Sequence, residues 1–137
     1  MGFILNVEGT TLGVETIKTV DFAVSTPNDT NAKTTDVAVT ATITGKILTM
    51  LDDGTEGTVD LAKWAMITSD KAECYKNVTI QSIAAGHVVR EYTMPTAFVV
   101  DYNENYDDVE GVGTFTLVVR QKKDKIGTIT VNGGYEA

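Results

Sequence analysis

The stretch VDFAVSTPNDTNAKTTDVAVTATITG, residues 20–45, carries most of the architectural information in the chain. In its first part Val20, Phe22 and Val24 fall on one face, and Asp21, Ala23 and Ser25 on the other. In its last part Val37, Val39, Ala41 and Ile43 point one way, and Ala38, Thr40 and Thr42 the other. A helix would group residues three and four apart. Period-two alternation rich in Val, Ile and Thr predicts two half-buried antiparallel strands. Between them lies STPNDTNAKTTD, residues 25–36, with no large apolar side chain. Pro27, Asn28, Asp29 and Asn31 are turn formers, but about two residues suffice to close a hairpin. So long a polar connection is either a loose surface loop or a segment used outside its own core.

The same alternation recurs along the chain. GTFTLVVRQ, residues 113–121, sets Phe115, Leu117 and Val119 against Thr114, Thr116 and Val118. Further strands are expected at 3–8, 14–19, 77–84, 87–93, 96–102 and 126–131. TVDLAKWAMI, residues 58–67, departs from period two and follows a glycine-bearing turn, LDDGTEG. A short helix is expected there, with Thr58 as its cap and Asp60 in its first turn. Val59, Leu61, Ala62, Ala65 and Met66 would form its apolar stripe, and Trp64 would seal it against a sheet. No period of 20–50 residues marks a solenoid. The expected fold is mainly β: a two-sheet barrel or sandwich of antiparallel strands with one short α-helix, in one domain over residues 1–137. An extended polar loop at about 25–36 interrupts it.

Composition narrows the function classes. Hydrophobic residues make up 42% of the 137, ordinary for a globular chain. The net charge of −8, from 19 acids against 11 bases, argues against gripping nucleic-acid phosphates, which takes Lys and Arg. No run approaches the ~18 apolar residues of a membrane-spanning helix. MGFILNVEG has no basic region and meets Glu8 too early for a signal peptide. The lone Cys74 has no cysteine partner within the chain. Folding in a reducing cytoplasm is the expectation.

DYNENYDDVEG, residues 101–111, looks at first like a calcium loop. A twelve-residue loop starting at Asp101 needs glycine at its sixth position and a bidentate Glu at its twelfth. Tyr106 and Val112 stand there, and strand-like FVVDY and GTFTLVV flank the stretch. It reads as a hairpin turn with an acidic patch of Asp101, Glu104, Asp107, Asp108 and Glu110. No base adjoins these acids in sequence. His87 is the only histidine, and nothing around it or Cys74 has a protease signature. There is no phosphate-binding glycine loop, and the paired Asp52 and Asp53, which could serve a glycosidase, read as solvated acids of a glycine turn. No catalytic residue, cofactor or metal is expected. The residues also leave open a non-catalytic β-sandwich that binds carbohydrate or acts as an adhesin. Such a module needs an aromatic platform, for which Tyr92, Tyr102 and Tyr106 are the candidates.

The order of elements resembles the tube-forming proteins of contractile injection machines, namely the Hcp proteins of type VI secretion and phage tail tube proteins. VDFAVSTPNDTNAKTTDVAVTATITG is similar to that family's strand–extended loop–strand, and DLAKWAMI, residues 60–67, to its single helix. VVREYTMPTAFVVDYNENYDDVEGVGTFTLVVRQ, residues 88–121, resembles its paired C-terminal strands. The likeness spans about residues 3–131 in pattern and length, and no single motif is diagnostic. It implies a structural subunit, not an enzyme, that closes into six-membered rings stacking into a hollow tube. The long loop would then reach a neighbouring subunit through Thr26, Pro27, Asn28, Asp29, Thr30, Asn31, Lys33 and Thr34. The implied partners are further copies of the chain, sheath or baseplate proteins, and DNA or an effector passing through the lumen without specific binding; no membrane is involved. The implied location is a phage tail or virion, or a secreted injection particle, after synthesis in a bacterial cytoplasm. An acidic lumen would repel passing phosphates.

Overall fold

The computed structural model describes residues 1–26, 37–47, 57–108 and 113–133. In chain order the strands are β1 (Gly2–Val7), β2 (Thr10–Leu12), β3 (Ile17–Ser25) and β4 (Ala38–Ile47), then helix α1 (Gly57–Ala65). β5 (Lys76–Ala84), β6 (His87–Asn105), β7 (Gly113–Gln121) and β8 (Thr130–Gly133) follow. Short 3₁₀ helices occupy Ala72–Cys74 and Lys123–Thr128. All pairings are antiparallel and join into one sheet, ordered β2-β1-β5-β6-β7-β4-β3, with β8 also paired to β6. Among the described residues no ladder closes it, but the sheet curls on itself. Phe22 of β3 stacks on Tyr92 of β6, 4.0 Å between ring centroids, although these strands are not ladder neighbours. The mainly-β class with one short α-helix is therefore observed.

β4 and β7 show how the alternation makes the core. Val39, Ala41, Ile43 and Ile47 are buried on β4, and Phe115, Leu117 and Val119 face them on β7. Leu5, Val78, Ile80, Met94 and Ala97 complete the interior from β1, β5 and β6. Each large side chain so buried contributes roughly 1.5–3 kcal/mol. α1 caps this core with Leu61 and Trp64. The Trp64 indole Nε1 donates to the Cys74 carbonyl at 2.7 Å, satisfying a buried polar group where the chain turns into β5.

Several boundaries differ from the sequence reading. Val37 is only half-buried, and Val24 is 55% exposed, because β3 is an edge strand whose far end runs past the core. Residues 14–16 form a turn, so the strand expected at 14–19 begins at Ile17 and runs into the next one. The strands expected at 87–93 and 96–102 are one, β6, which passes straight through Pro95. Proline has no N–H to give, and here it sits where the β5–β6 register shifts between Lys76↔Ala97 and Val78↔Met94. Of the strand expected at 126–131, residues 126–128 belong to the second 3₁₀ helix, and β8 starts only at Thr130. Thr58 lies buried inside the first turn of α1 rather than before it. Val59 and Met66, expected on the packed stripe, are 45% and 74% exposed: the helix buries Thr58, Leu61 and Trp64, one face rotated from them.

Candidate functional site

The acidic hairpin is positioned by the β6–β7 ladder, which pairs Asn105 with Thr114 at its outer end. This is the hairpin that the flanking strands suggested. Asp101, Glu104, Asp107 and Asp108 are all exposed near that end; Glu110 lies outside the described residues. Tyr102, Glu104 and Tyr106 alternate along the chain and so share a side. The Tyr102 hydroxyl donates to one Glu104 oxygen at 2.6 Å, and the Tyr106 hydroxyl to the other at 2.8 Å. Glu104 is thus held in a fixed orientation at the surface. Burial, and then the hydrogen bond to Glu104, push the Tyr102 phenol well above its ordinary pKa. Its ring also lies over Phe115, with centroids 6.3 Å apart, which ties the acidic edge to the core. Period-two spacing was the available signal for this trio. The roles of the two phenols had no signature of their own.

The fold also brings cations to acids that have none beside them in sequence. A cleft of about 580 Å³ is lined by Lys18 of β3 and Lys46 of β4 together with Asp107 and Asp108. Lys46 arrives there because it pairs with Thr114 in the β4–β7 ladder. The acidic patch is therefore partly compensated at this end of the molecule. Among the described residues no group of three or more His, Cys, Asp or Glu side chains converges as metal ligands would.

The other sequence candidates separate in space. Cys74 is buried just before β5, and His87 is exposed at the start of β6, paired with Ala84 at the far end of β5. At ~3.3 Å per residue β5 holds them roughly 30 Å apart, too far for the two to act as a nucleophile and its base. The three tyrosines do not form one aromatic platform: Tyr92 is stacked on Phe22 and Tyr102 on Phe115, leaving Tyr106 as the exposed ring. Of the loop residues proposed for subunit contact, Thr26 is half-buried after the end of β3. Pro27, Asn28, Asp29, Thr30, Asn31, Lys33 and Thr34 lie outside the described residues.

No protein-family profile matches the sequence, and no curated protein does. Solved structures match over the whole chain. The structure of Hcp1 from Flavobacterium johnsoniae superposes with a TM-score of 0.64 at 17% identity, covering 100% of both chains. A chain of the extracellular contractile injection system PVC sheath–tube complex, in its extended state, gives 0.56 at 12% identity, covering 97% of this chain and 89% of that one. A chain of the anti-feeding prophage baseplate, 6-fold symmetrised, gives 0.52 at 12% identity, covering 96% and 93%. The chain therefore has the fold of Hcp1 and of proteins from contractile injection systems. The family resemblance seen in the sequence is borne out at the level of fold. Among the described residues no helix is long and apolar enough to cross a membrane.

Proposed function

We propose that the chain is a structural subunit that assembles into six-membered rings, and that these stack into the hollow tube of a phage tail or injection machine. The observation that carries this reading is the full-length likeness to Hcp1, end to end on both chains. Two further neighbours come from a sheath–tube complex and a 6-fold symmetrised baseplate, which supports sheath and baseplate proteins as partners in the assembled particle. On this reading the chain has no catalytic role. Residues 26–34 reach the adjacent subunit, since they supply no large hydrophobe to their own core. The exposed carboxylates around 101–108 contribute a repulsive field toward a passing polyanion, tempered by Lys18 and Lys46.

Heterologous interfaces allow a ring to close and also to stack. Mass photometry and negative-stain microscopy of the full chain test this directly, with rings as the expected species. A strictly monomeric protein at high concentration, with no rings or stacks, sinks the reading. Removing Thr26–Thr34 and closing with Asn-Gly should give a folded monomer that no longer assembles, because shortening a surface loop changes closure entropy little. Unchanged assembly would remove the loop from the interface.

A further inference from the structure

The ladder between β5 and β6 ends where Lys76 meets Ala97. Beyond it, residues 98–105 of β6 have β7 on one side and, among the described residues, no strand on the other. α1 lies along that open side and leaves a groove of about 490 Å³ between them. Its walls are apolar, with Ala62 and Met66 from the helix side and Val100 from β6, the last two 74% and 43% exposed. Its charged groups are Asp101 and Glu104, and no base lines it. Glu104 is the carboxylate held by two phenols, so its position is set before anything arrives. An apolar floor with an oriented anionic rim suits a cation carried on a long aliphatic stem.

This chain carries such a group. Lys122, Lys123 and Lys125 are its densest run of bases, with Asp124 as the single acid among them. They sit on a turn whose backbone is fixed from inside. Gln121, 1% exposed, donates to the Lys125 carbonyl at 3.1 Å and accepts from the Thr96 amide at 3.3 Å. The Lys122 amide donates to the Thr96 carbonyl at 2.8 Å. Within its own chain this turn reaches Tyr75, with the Lys122 ammonium 5.2 Å from the ring centroid, and not the groove.

We propose that the groove between α1 and the outer half of β6 receives the Lys122–Lys125 turn of a second copy of this chain. The lysine stems cover Met66 and Val100, and their ammonium groups meet Asp101 and Glu104. The contact rests on the self-assembly reading above and names one of its interfaces.

Charge exchange tests it. Asp101→Lys with Glu104→Lys places bases on both surfaces, and Lys122→Glu with Lys125→Glu places acids on both. Each double variant should keep the wild-type circular dichroism and need about tenfold more protein, or greater, to assemble. A 1:1 mixture should recover assembly, since each groove then faces a turn of opposite charge. As a check independent of any variant, carbodiimide coupling of mixed ¹⁴N- and ¹⁵N-labelled wild-type protein should join Lys122 or Lys125 of one isotope to Asp101 or Glu104 of the other. Rings that form unchanged in both variants, with no such mixed-isotope link, overturn this contact and leave the tube reading standing. A wild-type chain that never associates removes both.

Discussion

β4 and α1 carry similar shares of apolar residues and spend them in opposite directions. β4 lies between β3 and β7, and Val39, Ala41, Ile43 and Ile47 all turn into the core, each 9% exposed or less. α1 caps one side of that core with Leu61 and Trp64, while Val59 and the adjoining Met66 face outward. Exposed hydrophobes scattered singly need no explanation, but here Met66 and Val100 border one groove. The contrast teaches that fold stability and surface chemistry are separable in this molecule. Core substitutions should unfold it, whereas substitutions around the groove should leave it folded and alter what it touches.

The largest expected effect falls in the core. Phe115 is 1% exposed and lies across β4 opposite Gly45. Phe115→Ala should cost about 3–5 kcal/mol, measured by denaturant unfolding, because lost transfer energy and a residual cavity add. Its partner is next. A β-carbon built on Gly45 would stand 2.6 Å from the Phe115 ring and 2.4 Å from the Thr16 carbonyl oxygen, which already accepts from the Lys46 amide. Gly45→Ala should therefore cost roughly 1–3 kcal/mol through overpacking. Combining the two should cost less than their sum, since removing the ring relieves one of the two clashes. Strict additivity would mean that the ring does not rely on this glycine. A loss below about 0.5 kcal/mol for Phe115→Ala, the range of an ordinary surface change, would break the contrast between β4 and α1 outright.

How much of this was legible in the sequence depended on whether burial followed from local pattern. For Val39, Ala41, Ile43, Phe115, Leu117 and Val119 it did, because alternation on a central strand leaves one face for the core. Val24 has the same alternation on β3, but edge position is a property of sheet order, which no local pattern encodes. Val59 and Met66 fit an apolar stripe at helical spacing. Which face of a nine-residue helix turns inward was settled by Trp64 reaching the Cys74 carbonyl. The strands expected at 87–93 and 96–102 are a single one, and Pro95 between them marks an irregularity within it. At the candidate site the acids and the hairpin were readable. The approach of Lys18 and Lys46, and the open edge beside α1, come from pairings between distant segments.

Tyr102 stands on the seam between the two regions, its ring on Phe115 and its hydroxyl on Glu104. Tyr102→Phe keeps the ring and removes the hydroxyl, so at neutral pH it should cost only about 0.5–1.5 kcal/mol. The pH dependence is more telling. Burial, followed by the Glu104 hydrogen bond, raises the folded-state pKa of this phenol above the value near 10 of an unfolded tyrosine. The folded protein therefore holds the proton more tightly than the unfolded chain. The stability this contributes is fully present below about pH 10 and is lost as pH rises above that value toward the folded pKa. Wild type should lose stability along that alkaline limb, and Tyr102→Phe should lose less, bringing the two proteins closer together as pH climbs. Urea unfolding at stepped pH values measures this. Parallel limbs would show that the phenol titrates alike in both states, and that the acidic edge is not coupled to the core through Tyr102.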